Sequence, residues 1–231
     1  MPLSSFKAVF FDVGGTLIHV HPSVGEVYAR HARPFGYSGN AEVLNDGFRM
    51  QWKKMGGIES LGHQSGAEAE RKFWYTLVYR VFEPLGGLDR FEEYFDLIFE
   101  VFREKDNWQI YEDVIESKIL ETLKEKGVAL GVISNWDSRL FSTLENVGLA
   151  QYFDFILSSA VIGSAKPDQK IFKEALSLSG VAPHEACHIG DEIRTDVEGA
   201  KRAGIHPILI DRDNRFDSTG SEKITSFLEL A

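Results

Sequence analysis

Apolar positions along the chain fall into two regimes. Residues 9–18 (VFFDVGGTLI), 128–136 (VALGVISNW), 153–159 (FDFILSS), 186–189 (ACHI) and 205–210 (IHPILI) are short apolar runs with little alternation. Runs of this kind mark strands buried on both faces. The stretches 138–147, 168–179 and 194–203 carry helical periodicity instead, as in the amphipathic IFKEALSLS. Strands are therefore predicted at 128–133, 154–157, 186–189 and 205–210, with helices between them. Together with the first run, this alternation predicts an α/β fold, a doubly wound, Rossmann-like parallel sheet covered on both faces through right-handed crossovers.

Between the first two strands the pattern changes. About ninety residues show no strand pattern and read as helices over 23–35, 41–55, 65–83 and 88–105, with glycine breaks at 36–39, 56–66 and 86–87. The chain thus divides into an α/β core domain, residues 1–18 and 111–231, and an inserted helical domain, residues 19–110. Residues 17–110 hold 16 of the 28 Phe, Tyr and Trp, among them Phe73, Trp74, Tyr79, Phe82, Phe95, Phe99 and Phe102 at helical spacing. Stripes at three- and four-residue spacing usually pack inward, so these rings read as the insertion's core rather than a ligand cage.

Composition narrows the function classes. At 231 residues and 43% apolar the chain can bury a sizeable core. Its net charge of -10 argues against nucleic-acid and anionic-membrane partners, which are held by clustered Lys and Arg. An anionic substrate would need a local positive centre. The single cysteine, Cys187, lies in a predicted strand and reads as a small buried apolar side chain. Neither a signal peptide nor an 18-residue apolar run is visible, so a cytoplasmic protein is expected, as monomer or homodimer. The polar stretch 212–223, RDNRFDSTGSEK, reads as a loop with no assigned function before a short terminal element.

Chemistry concentrates where the strands end. The first run ends on Asp12 and breaks into Gly14, Gly15 and Thr16; the second ends on Ser134 and Asn135. Lys166-Pro167 precedes the IFKEALSLS helix, and the strand at 186–189 delivers Gly190, Asp191 and Glu192 ahead of Asp196. In an open parallel sheet the carboxyl edge is where ligands bind, so these groups are placed for chemistry. Each one alone also reads as an ordinary solvated turn.

The order DxxGT, SN, KP and GDxxxxD resembles the haloacid dehalogenase superfamily of aspartate-nucleophile hydrolases, chiefly phosphatases, over roughly residues 3–16 and 112–211. The details DVGGTL, VISNWDSRL, KPDQKIF and HIGDE resemble one branch of it. The resemblance implies a mobile helical cap over the sheet edge and a small phosphorylated substrate. Asp12 then attacks phosphorus and carries an aspartyl-phosphate, Gly15 and Thr16 cradle the phosphate, and Ser134 and the backbone around Asn135 donate to its oxygens. Lys166 supplies fixed positive charge. Asp12, Asp191 and the Gly14 carbonyl hold Mg²⁺, which favours one or two carboxylates plus phosphate and water, and Glu192 and Asp196 support them or pair with Lys166.

One departure weighs against efficient catalysis. Most phosphatases of the superfamily carry a second aspartate, the general acid/base, where this chain has Gly14. Losing a positioned acid/base costs about 10²–10⁴ in rate, so ester hydrolysis is expected to be slow or specialised. His19 or His21 could substitute, although exposed flap histidines are the simpler reading. The leading expectation is a Mg²⁺-dependent phosphatase. Its rivals are a domain kept for binding with vestigial catalysis, a 2-haloacid dehalogenase, and a phosphonate hydrolase using Lys53 or Lys54 of the insertion.

Overall fold

The computed structural model describes residues 2–62, 66–217 and 220–230. The first residue of the predicted 65–83 helix, and parts of the predicted breaks at 56–66 and 212–223, lie outside the described residues. Strands β1 (Ala8–Phe11), β4 (Ala129–Ser134), β5 (Phe155–Ser158), β6 (Ala186–Gly190), β7 (His206–Ile210) and β8 (Glu222–Ile224) form one sheet in the order β5-β4-β1-β6-β7-β8. Every pairing in it is parallel. That is the predicted doubly wound α/β core, with β8 added inside the stretch read as a loop.

The two faces of the sheet explain the unbroken apolar runs. Val9 and Phe11 of β1 enter one core with helices α5 (Glu112–Ser117), α6 (Ile119–Glu125) and α7 (Leu140–Asn146). Ala8 and Phe10 enter the opposite core with α9 (Gln169–Ser179) and α10 (Glu198–Arg202). Burial on both sides removes the alternation that a one-sided strand would show. Asp168 caps α9 by accepting from the Lys170 amide at 2.7 Å, which fixes the start of this helix just after Lys166-Pro167. A short α8 (Ser159–Ile162) follows β5.

The insertion holds α1 (Val24–Ala32), α2 (Ala41–Met55), α3 (Ala67–Phe82) and α4 (Phe91–Val101), close to the predicted spans. They share a core of their own around Tyr28, Leu44, Leu77, Phe82, Tyr94 and Ile98. Asn40 caps α2 through the Glu42 amide, and Gly56 closes it at φ 76. The absence of strands expected here does not hold. β2 (Ile18–Val20) and β3 (Trp108–Ile110) pair antiparallel, Val20 opposite Trp108, where the insertion leaves and rejoins the sheet. Three-residue strands with partners ninety residues away leave no local periodicity to read.

Candidate active site

The carboxyl edge of the sheet brings the strand-end residues together. The backbone N–H of Asp12 continues the β1 pairing by donating to Ile189 of β6 at 2.9 Å, so the side chain emerges between β4 and β6. Asp12 Oδ1 accepts from Ser134 Oγ and from Lys166 Nζ, each at 2.8 Å. Its Oδ2 accepts nothing among the described residues. Lys166, 2% exposed, also donates to Asp196 Oδ1 at 2.5 Å. Asp196 is saturated: His188 Nε2 lies 2.8 Å from Oδ1, while the Glu192 amide and Thr195 Oγ1 donate to Oδ2 at 3.1 and 3.4 Å.

Two glycines permit this crowding. A Cβ on Gly15, at φ +78, would stand 2.5 Å from Asp191 Oδ2, and one on Gly190 would stand 2.2 Å from Asp196 Cγ. Gly14 is different, since its φ is not positive and a Cβ there would lie 3.4 Å from the Trp136 ring. The absent acid's place is therefore faced by an indole, not by strained backbone. Residues 193–197 wind as a π-type turn before α10, a geometry that recurs at functional sites.

The electrostatics follow from the charge count. Carboxylate oxygens of Asp12, Asp191 and Asp196 lie within 4.8 Å of one another, and one ammonium, Lys166, pairs with two of the three. Burial, with Asp12 and Asp196 adding to it, pushes the Asp191 carboxyl up to about 8. Asp12 is likewise raised by burial, against the lowering effects of Lys166 and Ser134. Burial would raise Asp196 too, but Lys166 and His188 overcome it and hold that carboxyl well below the usual range. Lys166 moves above its ordinary value because its two carboxylate partners outweigh burial. Burial lowers the His188 imidazole, so the neutral ring donates from Nε2 to Asp196, while its buried Nδ1 has no partner.

A divalent cation fits this donor set. Three carboxyl groups share one buried ammonium, with the Arg215 guanidinium 3.7 Å from Asp191 Oδ2 at the edge of the cluster, and a bound cation would let Asp191 ionise. Asp191 oxygens accept no hydrogen bond among the described residues, and the Asp12 Oδ2 is likewise unclaimed, whereas Asp196 is fully bonded. Asp12 and Asp191 thus offer the available carboxylate oxygens, a hard set suited to a divalent cation.

The remaining expected residues are distributed unevenly. Asn135 borders the cavity above Asp12, but its side chain clamps the Lys166 peptide, accepting from that amide at 2.7 Å and donating to that carbonyl at 3.0 Å. Gly15 and Thr16 do not border the cavity; Thr16 is fully buried, and its carbonyl accepts from Arg212 at 2.7 Å. Glu192 does not pair with Lys166, because its exposed carboxylate faces Arg215 at 3.8 Å. His19 stacks near Tyr111 and His21, and neither histidine borders the cavity. The polar stretch after β7 is not idle, since Arg215 donates to the Asp191 carbonyl at 3.1 Å and Arg212 to Asp113 at 2.7 Å.

Above this floor lies a cavity of about 620 Å³ roofed by the insertion. Of the rings expected to form only core, Trp74, Phe95, Phe99 and Phe102 also line it, whereas Tyr79 is exposed and Phe73 and Phe82 are buried away from it. Tyr28, Phe48, Trp52, Trp108 and Trp136 complete the aromatic wall. Polar ties hold the roof down. Trp74 Nε1 donates to Asp137 Oδ2 at 2.6 Å, Glu70 accepts from the Ser138 amide and hydroxyl at 3.0 and 2.6 Å, and Arg194 meets Glu59 at 2.5 Å. Arg139, 6% exposed, pairs with Asp137, donates to the Phe99 carbonyl and lies 4.0 Å over the Phe99 ring. Among the described residues no helix is long and apolar enough to cross a membrane.

Comparison with known proteins identifies the class. A family model for haloacid dehalogenase-like hydrolases matches residues 6–204. The Bos taurus protein named haloacid dehalogenase-like hydrolase domain-containing protein 3 is 34% identical over 209 residues, covering 88% of this chain and 81% of its own length. Among solved structures, a HAD phosphatase from Thermococcus onnurineus aligns with TM-score 0.68 and 26% identity over 97% of this chain and 95% of that one. A 2-haloacid dehalogenase from Pseudomonas syringae pv. Tomato aligns with TM-score 0.65 and 26% identity over 97% and 96%. The chain belongs to the haloacid dehalogenase-like hydrolases. Within them it falls in the branch of domain-containing protein 3.

Proposed function

We propose that the chain is a Mg²⁺-dependent phosphatase-type hydrolase acting on a small phosphorylated metabolite in the cytoplasm, with residues 19–110 serving as a cap over the core of 1–18 and 111–231. The observation that carries this reading is the Asp12 carboxylate, which has one oxygen fixed by Ser134 and Lys166 and the other unclaimed beside an excess of carboxyl groups. Lys166 and Ser134 hold Asp12 in one orientation, so that its carboxylate can attack phosphorus and form the aspartyl-phosphate. Asp196 and Asn135 fix Lys166 in turn, from its ammonium and its peptide. Mg²⁺ held by Asp12, Asp191 and the Gly14 carbonyl would neutralise charge on the phosphate. The aromatic roof excludes water from the leaving group.

A metal-free alternative rests on a specific feature. Gly14 and the facing Trp136 leave no carboxylic acid at position 14 for an alkoxide leaving group, a lack that does not matter for halide release. The excess of carboxylates favours the metal-dependent reading. Turnover of p-nitrophenyl phosphate is expected to require Mg²⁺, with Asp191→Asn weakening its apparent affinity at least about tenfold. Equal turnover in EDTA would overturn the reading, and chloride release from 2-chloropropionate would then support the alternative.

A further inference from the structure

We propose that the natural substrate is the phosphate monoester of a flat, uncharged aromatic alcohol, a phenol-type leaving group seated between the tryptophans of the cavity; this rests on the phosphatase reading above. Two independent observations converge on it.

The first is the wall. Trp136 faces Gly14 and packs against Trp108 at a tilt, with ring centroids 5.0 Å apart. From the insertion, Phe48, Trp52 and Trp74 form a second run of rings at 5.8 and 5.7 Å. A volume of about 620 Å³ is much more than a phosphate group needs and lies within the range of drug-sized ligands. Several polar groups beside the rings are engaged within the protein. Trp74 Nε1 donates to Asp137, Trp108 Nε1 donates to the Phe102 carbonyl at 2.9 Å, and Arg139 is divided between Asp137 and Phe99. A sugar or amino-acid group needs several buried polar partners and finds these taken, whereas an arene needs only ring faces. Lys53, which also borders the cavity, is exposed to solvent.

The second is the chemistry at position 14. The Asp12 carboxylate attacks phosphorus, the bond from phosphorus to the ester oxygen breaks, and the electron pair leaves on that oxygen. With Trp136 against Gly14, no carboxylic acid stands there to protonate it. A phenol, with a pKa of about 10, departs as its anion and takes a proton from water afterwards. An alkoxide is far more basic and waits for an acid. Water then attacks phosphorus, the bond to Asp12 breaks, phosphate leaves and the surplus proton passes to solvent. Shape and leaving-group chemistry therefore select the same class.

Three esters separate these contributions: 2-naphthyl phosphate, 2-naphthylmethyl phosphate and hexyl phosphate. The naphthyl ester is expected to exceed the naphthylmethyl ester about 10²-fold or more in kcat. Naphthylmethylphosphonate, which cannot be hydrolysed, is expected to bind at least about tenfold tighter than hexylphosphonate by calorimetry. Trp52→Leu and Phe48→Leu should each reduce that preference about three- to tenfold, weakening naphthylmethylphosphonate more than hexylphosphonate, in proteins whose circular dichroism matches wild type. Equal binding of the two phosphonates, or equal kcat/KM for all three esters, overturns the substrate class while leaving a phosphatase. Tight naphthylmethylphosphonate binding without turnover of any ester overturns the phosphatase reading, and this substrate with it.

Discussion

Sheet edge and helical insertion meet across one cavity on opposite physical terms. At the edge, Asp12, Ser134, Lys166, Asp196 and His188 are bound to one another by short, charge-assisted contacts, so a change at one member is felt by the rest. Across the cavity, the insertion presents rings whose contacts are weak singly and numerous, and it is tied to the core by a few hydrogen bonds. The edge fixes which atoms react. On the phosphatase reading proposed above, the roof would decide what shape of molecule brings a phosphate to them.

That contrast is broken most severely at Lys166. Lys166→Met would leave Asp12 and Asp196 buried without their ammonium. Removing one partner of a buried ion pair costs about 3–5 kcal/mol, so a large fall in denaturation midpoint and loss of turnover are expected together. A variant as stable as wild type would show that the carboxylates are less coupled than their distances imply.

A smaller effect comes from pH. Asp191 titrates near 8 in the folded protein, well above its unfolded value, so it stays protonated at neutral pH when no cation is bound. As pH rises from about 4 to 8 the folded state must give up a proton that the unfolded chain has already lost, and this group's contribution to stability falls. Protons compete with Mg²⁺ for Asp191 in the same window. Calorimetric Mg²⁺ affinity should therefore rise between pH 6 and 8, by up to about tenfold per unit, and level off above. An affinity flat across that range removes Asp191 from the cation site.

The smallest expected effect lies in the roof. Trp74→Phe keeps an aromatic ring but deletes the donor to Asp137, a loss of about 1 kcal/mol in stability for the hydrogen bond. If this tie holds the insertion over the edge, hydrogen exchange should quicken in α3 and α4 while β1 and β6 are unaffected. Equal exchange in every element would place the hold on the roof elsewhere, at Glu70 or Arg139.

Much of the edge was readable from the chain because strand ends are local events. An apolar run that stops at Asp12, Ser134 or Asp191 positions the residue by sequence alone, and Gly15 and Gly190 announce the close approach that follows. Partnerships were less legible. Asp196, not Glu192, pairs with Lys166 because a π-type turn swings it back beneath Gly190, and nothing in the spacing GDEIRTD separates these two acids beforehand. The backbone around Asn135 reads as a phosphate donor, but nothing local assigns a task to its side chain, which clamps a peptide thirty-one residues away. Aromatic spacing identified the insertion's core but could not say which rings turn toward the sheet, since that depends on how the helices are set by the β2–β3 ribbon. Trp136 was invisible as a functional residue for the same reason, because its importance lies in facing Gly14 across space.

The central claim is that Asp12 attacks phosphorus. Quenching the protein during steady turnover of p-nitrophenyl phosphate with Mg²⁺, reducing the mixture with borohydride and mapping peptides by mass spectrometry tests it directly, because borohydride converts an acyl phosphate to an alcohol. The account predicts a homoserine side chain at position 12, absent without substrate and absent in Asp12→Asn. Sustained turnover with position 12 unmodified, or with the label on another carboxylate, would contradict it.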